Sequence, residues 1–268
     1  MNNLHNCTKN TDLITRTQGT GKDLVLLHGW GMNSGVFKEF SPLLSDEYSV
    51  TVIDLPGFGE NHSVAPTDYT IAGLAEILAP VLPANCILAG WSMGGLVAQQ
   101  LALSMPEKVM GLVTIASSPR FASQQGWPGI EPALLQQFQY ELGENFAKTL
   151  DRFLAIQTMG CETARKDVKT IKHSVKEYPQ PSVETLKASL ELLSNEDLRR
   201  HVGQIKQPTL RIYGRLDSLV PKTAIDSICQ LHPQSDAVVL SGASHAPFIS
   251  HPKQTADIIK RFVTTRVS

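Results

Sequence analysis

The sequence of 268 residues predicts an α/β fold, a mostly parallel central sheet flanked by helices with a helical lid inserted between core strands. Three observations lead there. Near-continuous apolar runs recur at 24–27, 50–53, 87–89 and 112–115, as expected of strands buried on both faces of a parallel sheet. From about 121 to 193 such runs vanish, and the sequence turns helical and rich in Gln, Glu and Lys. After Pro208 they return at 209–213 and 237–240, followed by a helix-like segment at 254–263. The chain therefore divides into a first core part at 1–120, a helical lid at 121–194 and a second core part at 195–268. An insertion so placed is expected to cover the C-terminal edge of the sheet, where ligands bind in open α/β folds.

Each element then has to account for its neighbours. A strand ending in Ile87-Leu88-Ala89 meets Gly90-Trp91-Ser92-Met93-Gly94, and a helix-like run follows at 96–103. A serine at a sharp strand-to-helix turn is a nucleophile elbow. The flanking glycines allow the tight bend, and the helix N-terminus lies beneath the hydroxyl. By composition a Gly-x-Ser-x-Gly match occurs in about one chain in ten of this size, so the remaining parts must appear in their places. A serine needs a base to take its proton, and the base needs an acid to orient it. In the elbow fold these follow in the order serine, acid, histidine. Gly214-Arg215-Leu216-Asp217 comes directly after the strand at 209–213, and Ser241-Gly242-Ala243-Ser244-His245 comes after the strand at 237–240. The expected triad is Ser92, Asp217 and His245.

The attacked carbonyl also needs two donors for its oxyanion. One should be the backbone N–H of Met93, and the other a backbone N–H in the loop after an early strand. His28-Gly29-Trp30-Gly31 is that loop, with Trp30 as donor and its ring free to line an acyl pocket. Rival groups fit less well. His28 and Asp54 end early strands and read as turn and loop supports. His62, His173 and His201 follow no late strand, His232 precedes the last one, and His251 reads as a helix cap.

Composition removes other classes. With 24 basic against 25 acidic residues, a net charge of −1 gives no bulk attraction to nucleic acid or an anionic membrane. No apolar run approaches the ~20 residues that span a bilayer. The first seven residues lack the pattern of a secretory signal. Cys7, Cys86, Cys161 and Cys229 are scattered, as reduced thiols of a cytoplasmic protein would be. No metal or cofactor is expected, and a monomer is.

The chain resembles the α/β-hydrolase superfamily, and within it the pimeloyl-acyl-carrier-protein methyl ester esterases of biotin synthesis. The resemblance rests on 90–98, Ser117-Ser118-Pro119, Trp127-Pro128-Gly129-Ile130, the stretch 152–160 and the stretch 245–252, and runs from about 24 to 263. The stretch 152–160 is the specific part, since it lies in the insertion, where superfamily members diverge. The resemblance implies hydrolysis of a methyl ester at the far end of a pimeloyl chain on acyl carrier protein, the thioester being spared. It further implies that Phe153 and Trp30 line the acyl channel, and that Lys148, Arg152, Arg165 and Lys169 dock an acidic carrier. From Lys148 to Lys176 seven basic residues stand against three acidic ones. Charge alone would read this as a solvated helix face; the resemblance turns it into a docking patch.

Two alternatives use the same residues. A broad short-chain esterase, thioesterase or carbon–carbon hydrolase would share the triad, and a ligand-binding module would keep the fold without turnover. Dehalogenase and epoxide-hydrolase chemistry would want an aspartate where Ser92 stands.

Overall fold

The computed structural model describes residues 13–64, 66 and 68–267, apart from the Phe146 side chain; the expectations for the N-terminus and Cys7 lie outside these residues. Seven strands form one sheet in the order β1-β3-β2-β4-β5-β6-β7. They are β1 (Thr15–Gln18), β2 (Lys22–Leu27), β3 (Tyr48–Ile53), β4 (Cys86–Trp91), β5 (Val109–Ile115), β6 (Thr209–Gly214) and β7 (Asp236–Leu240). Pairs from β3 to β7 are parallel, and β1 runs antiparallel to β3. The apolar runs read as strands all lie within β2 to β7.

Strand β1 was not expected, and the reason is its surroundings. Its sequence, Thr-Arg-Thr-Gln, is exposed throughout and leaves no apolar pattern. Pairing with β3 holds it, aided by Thr17 Oγ1 at 2.8 Å from Thr51 Oγ1 and an Arg16–Glu60 ion pair at 2.6 Å.

Helices cover both faces. In chain order they are α1 (Ile71–Leu78), α2 (Met93–Ser104), α3 (Pro132–Glu144), α4 (Phe146–Thr158), α5 (Ala164–Lys176), α6 (Val183–Asn195), α7 (Lys222–Leu231), the short α8 (Pro247–Ser250) and α9 (Pro252–Arg266). Side chains of β2 alternate, Val25 and Leu27 joining a core with α1, α2 and α7, and Leu24 and Leu26 a second core with α9. Local signals set several starts: the hydroxyls of Thr70 and Ser182 and the Asn145 side-chain oxygen accept the N–H groups of Gly73, Thr185 and Lys148 at 3.1 Å.

Between β5 and β6 the chain leaves the sheet for α3 to α6. Leu150 and Phe153 of α4 join the first core, and Leu154 with Ile171 and Val175 of α5 joins the second. The insertion thus straddles one edge of the sheet and packs on both layers. On α5 Val168 is half-buried, whereas Asp167 is buried and accepts from Thr163 Oγ1 at 2.7 Å.

The order of strands reverses between β2 and β4: from β2 the chain steps outward to β3, then returns to the other side for β4. Loops leaving these two strands diverge and open a crevice above the sheet. The helix after β4 can seat there only because it lacks side chains at the contact. A Cβ at Gly94 would strike the Leu27 and His28 carbonyls, and one at Gly90 the Gly94 carbonyl.

One buried charge stands apart. Arg211 on β6 is fully buried, and among the described residues it pairs with no carboxylate. Its guanidinium lies 3.3 Å from Gln99 Oε1, 3.3 Å from Ser235 Oγ and 3.1 Å from His232 Nδ1. Burial, reinforced by the cation, pushes His232 down to about 4. His232 therefore accepts from Arg211 as a neutral ring.

Two outcomes are expected. Gly94→Ala should lower the unfolding free energy by about 3 kcal/mol, because the clash is with backbone that cannot rotate away; a urea midpoint equal to wild type would contradict this packing. The unfolded state protonates His232 near 6.5 and the folded state near 4, so its contribution is present above pH 6.5 and is lost as pH falls toward 4. That loss amounts to about 3 kcal/mol. Urea titrations at stepped pH should show a shallower decline for His232→Gln than for wild type, and parallel declines would refute it.

Candidate active site

Four strands deliver the site from their C-terminal ends. Ser92 follows β4 directly and adopts φ +54°, ψ −118°, a conformation a non-glycine residue rarely takes. Its N–H donates to the Ile115 carbonyl at 2.9 Å, and its own carbonyl accepts from Ser117 Oγ at 2.7 Å. Both partners sit at or just beyond the end of β5. The Ser92 side chain makes no helix-capping bond to α2, which leaves the hydroxyl available.

His245 Nε2 lies 2.9 Å from Ser92 Oγ, and His245 Nδ1 lies 2.8 Å from Asp217 Oδ2. The carboxylate accepts at Nδ1, so that nitrogen carries the ring proton and Nε2 is left to accept from the serine. The other carboxylate oxygen of Asp217 accepts the N–H groups of Leu219 at 2.8 Å and Val220 at 3.1 Å. The loops bearing Asp217 and His245 are close-packed: Leu216 N–H donates to the Ala243 carbonyl at 2.9 Å, and a Cβ at Gly214 would strike the Ala243 and Ser244 carbonyls. The structure thus brings together the three side chains that the sequence placed in separate loops.

The two expected backbone donors are also available. Among the described residues neither the Trp30 nor the Met93 N–H has an acceptor, although both residues are fully buried. A buried N–H without a partner is rare and costs about 1–3 kcal/mol. Such a pair beside a nucleophilic hydroxyl is suited to an oxyanion that forms only during reaction. Gly29 packs on the nucleophile, since a Cβ there would lie 3.1 Å from Ser92 Cβ.

The Trp30 ring is not free, as the sequence reading had it. Its Nε1 donates to the Leu186 carbonyl of α6 at 3.1 Å, and the ring meets Phe153 edge-to-face at 4.7 Å between centroids. Phe153 in turn meets Phe138 at 5.7 Å. Three aromatic rings therefore link the loop after β2 to α3 and α4. Ser92 is 3% exposed and His245 is fully buried, so the reacting atoms are covered, with the Trp91 ring 5.9 Å from the His245 ring between centroids.

Sequence reasoning missed the contacts that hold the histidine loop. The Trp91 indole donates to the His245 carbonyl at 2.8 Å, and the His245 N–H donates to the Gln157 carbonyl at 3.0 Å. Gln157 belongs to α4, so the insertion grips the base directly. Its side-chain amide is fully buried and unpartnered among the described residues. A main-chain acceptor carries no residue-type signature, which is why this contact was not legible.

The remaining groups stand elsewhere. His28 Nε2 accepts from the Leu55 N–H at 2.9 Å, and burial lowers its pKa. The Asp54 carboxylate accepts from the N–H groups of Ser34 and Glu60, which supports the loop after β3. His251 bonds Ser250 Oγ at 2.9 Å at the start of α9. Lys148, Arg152, Arg165 and Lys169 do not converge on Ser92; they are exposed on α4 and α5. Arg152 is engaged within the insertion, paired with Glu141 at 2.6 Å and seated 5.2 Å from the Phe138 ring centroid. Lys148, Arg165 and Lys169 have no ion-pair partner among the described residues.

Comparison with known proteins supplies the family. Residues 23–252 match the family model described as alpha/beta hydrolase fold. A pimeloyl-[acyl-carrier protein] methyl ester esterase from Aeromonas hydrophila is 50% identical over 245 residues, covering 91% of this chain and 96% of that protein. One of the same name from Photobacterium profundum is 47% identical over 253 residues, covering 94% and 99%. Among solved structures, an esterase from Exiguobacterium antarcticum superposes with a TM-score of 0.85 at 22% identity, covering 94% of this chain and 96% of that one. At that identity the likeness bears on the fold alone. Strand order, site geometry and close relatives agree that this chain belongs to the alpha/beta hydrolases, within their group of pimeloyl-[acyl-carrier protein] methyl ester esterases.

Proposed function

We propose that this protein is a serine carboxylesterase that hydrolyses the methyl ester of pimeloyl-acyl-carrier-protein methyl ester, releasing methanol and the free carboxylate in biotin biosynthesis. The observation that carries the chemistry is the continuous chain Asp217–His245–Ser92, with the Trp30 and Met93 N–H groups left without an acceptor among the described residues. The substrate comes from the relatives, which bear that name at 50% and 47% identity over nearly the whole chain.

Each step has a group in place. His245 Nε2 takes the Ser92 proton as Oγ attacks the ester carbonyl, and Asp217 holds the ring at Nδ1 and stabilises the imidazolium. The tetrahedral oxygen is received by the Trp30 and Met93 N–H groups; losing one such donor typically costs about 2.7–4 kcal/mol. His245 then protonates the departing methanol. Water, activated by the same nitrogen, cleaves the acyl-enzyme and regenerates Ser92. The reacting atoms are buried, Ser92 being 3% exposed and His245 fully buried, which suits an ester at the tip of an acyl chain whose carrier stays outside. The exposed lysines and arginines of α4 and α5 suit an acidic carrier there. A monomer in the cytoplasm fits this reading, and among the described residues no helix is long and apolar enough to cross a membrane.

Ser92→Ala should lower kcat on the carrier-bound ester by several decades, on the order of 10⁶ in the best-studied serine enzyme, with unfolding unchanged. Asp217→Asn should cost about 10⁴. Product masses would check both: methyl loss at near-wild-type rates in either variant would sink the triad. Reversing charge at Arg165 and Lys169 together should reduce the ratio of kcat/KM on carrier-bound ester to that on dimethyl pimelate by about tenfold at low salt. The effect should shrink as salt rises. An unchanged ratio would mean these residues serve only the insertion.

A further inference from the structure

The Trp30 N–H belongs to the peptide unit that begins with the Gly29 carbonyl, and the Met93 N–H to the unit that begins with the Ser92 carbonyl. In a trans peptide the carbonyl and the N–H are coplanar and point opposite ways, so whatever fixes one end aims the other. Each of these two carbonyls meets a fully buried side-chain donor. His28 Nδ1 lies 2.8 Å from the Gly29 oxygen, and Ser117 Oγ lies 2.7 Å from the Ser92 oxygen.

The role of His28 is forced from both sides of its ring. Nε2 faces the Leu55 N–H at 2.9 Å, a group that can only donate, so the ring proton sits on Nδ1 and is given to the Gly29 carbonyl. Burial lowers the pKa of His28 against the opposing pull of Asp54, whose Oδ1 is 3.9 Å from Nε2. The neutral ring is the form that satisfies both backbone partners. The same Gly29 carbonyl accepts from the Met32 N–H at 3.3 Å, closing a four-residue turn whose third residue, Gly31, takes φ +70°.

The Ser92 carbonyl is held from two directions. The first turn of α2 offers it the Gly95 and Leu96 N–H groups at 3.0 and 3.2 Å, and Ser117 reaches it from beyond β5. Gly95 leaves the space that Ser117 occupies, since a Cβ there would lie 2.5 Å from Ser117 Cβ and 2.6 Å from its Oγ. Among the described residues neither His28 nor Ser117 bonds a side chain of the triad.

We propose that His28 and Ser117 are positioning residues of the oxyanion site, each aiming one donor N–H by holding the carbonyl at the other end of its peptide. A donor at the carbonyl also polarises the peptide, which strengthens the bond its N–H gives in a buried site. The inference rests on the oxyanion role given to these two N–H groups in the proposed reaction.

The test uses dimethyl pimelate, which needs no carrier, and the trifluoromethyl ketone analogue of that ester. Ser92 Oγ adds to the ketone carbon, its proton passes to His245 Nε2, and the ketone oxygen becomes an oxyanion held as in the reaction. His28→Gln keeps an acceptor for the Leu55 N–H and loses the donor to Gly29, whereas His28→Asn keeps that donor and loses the acceptor. His28→Gln and Ser117→Ala should each lower kcat about tenfold with KM little changed, a fraction of the roughly 10²–10³ that a lost oxyanion donor costs. Affinity for the ketone should fall by the same factor, and His28→Asn should regain most of both losses. If His28→Gln does not fold, Ser117→Ala, which removes a single oxygen atom, gives the same two readouts. A kcat loss without a matching loss of ketone affinity, or a His28→Asn enzyme as impaired as His28→Gln, would overturn this inference and leave the esterase reading intact. A wild-type enzyme that cleaves the ester but does not bind the ketone would overturn the oxyanion reading, and the role of both residues with it.

Discussion

The turn at Ser92 is the constraint on which the rest of the site depends. A φ of +54° at a non-glycine residue costs about 1–3 kcal/mol and persists only when its surroundings over-determine it. Here they do. β5 provides the Ile115 carbonyl for the Ser92 N–H, Ser117 bonds the Ser92 carbonyl, and the glycine contacts let α2 press against β2 and β4. A relaxed serine would carry its hydroxyl away from His245 and turn the Met93 N–H out of the crevice. The strained turn aims both the nucleophile and one oxyanion donor.

Topology supplies the space that the turn occupies. Because strand order reverses between β2 and β4, the loop bearing Trp30 and the elbow bearing Ser92 leave the sheet on diverging paths. Asp217 and His245 arrive from β6 and β7, on the far side of β5. Convergence of residues over 150 positions apart thus depends on parallel strands ending at one edge, which right-handed crossover connections enforce. Rigid elements hold each reacting group, with backbone donors and acceptors as the fasteners.

Two main-chain carbonyls of the helical insertion hold this centre directly. The Gln157 carbonyl holds the His245 loop, and the Leu186 carbonyl holds the Trp30 indole. Any movement that uncovers Ser92 by displacing α4 or α6 also disturbs the base or the oxyanion loop. Access and catalytic geometry are therefore linked. The exposed ion pairs Arg152–Glu141 and Lys172–Asp151 tie α4 to its neighbours by bonds that solvent can replace, whereas the aromatic contacts among Trp30, Phe153 and Phe138 are apolar and buried.

Sequence alone determined the parallel core, the helical insertion and the order of Ser92, Asp217 and His245, because continuous apolar runs and a glycine-flanked serine are local signatures of chemistry and burial. It did not reveal β1, whose exposed Thr-Arg-Thr-Gln carries no hydrophobic period and is a strand only because β3 offers it an edge. Nor could it show that the Trp30 ring is pinned, that Gln157 grips the histidine loop through its main chain, or that Arg152 is engaged by Glu141. Those facts depend on which backbone carbonyls and distant charges come within about 3 Å once layers pack. Every residue has a backbone carbonyl and most surface helices have charges, so only the tertiary structure decides which of them meet.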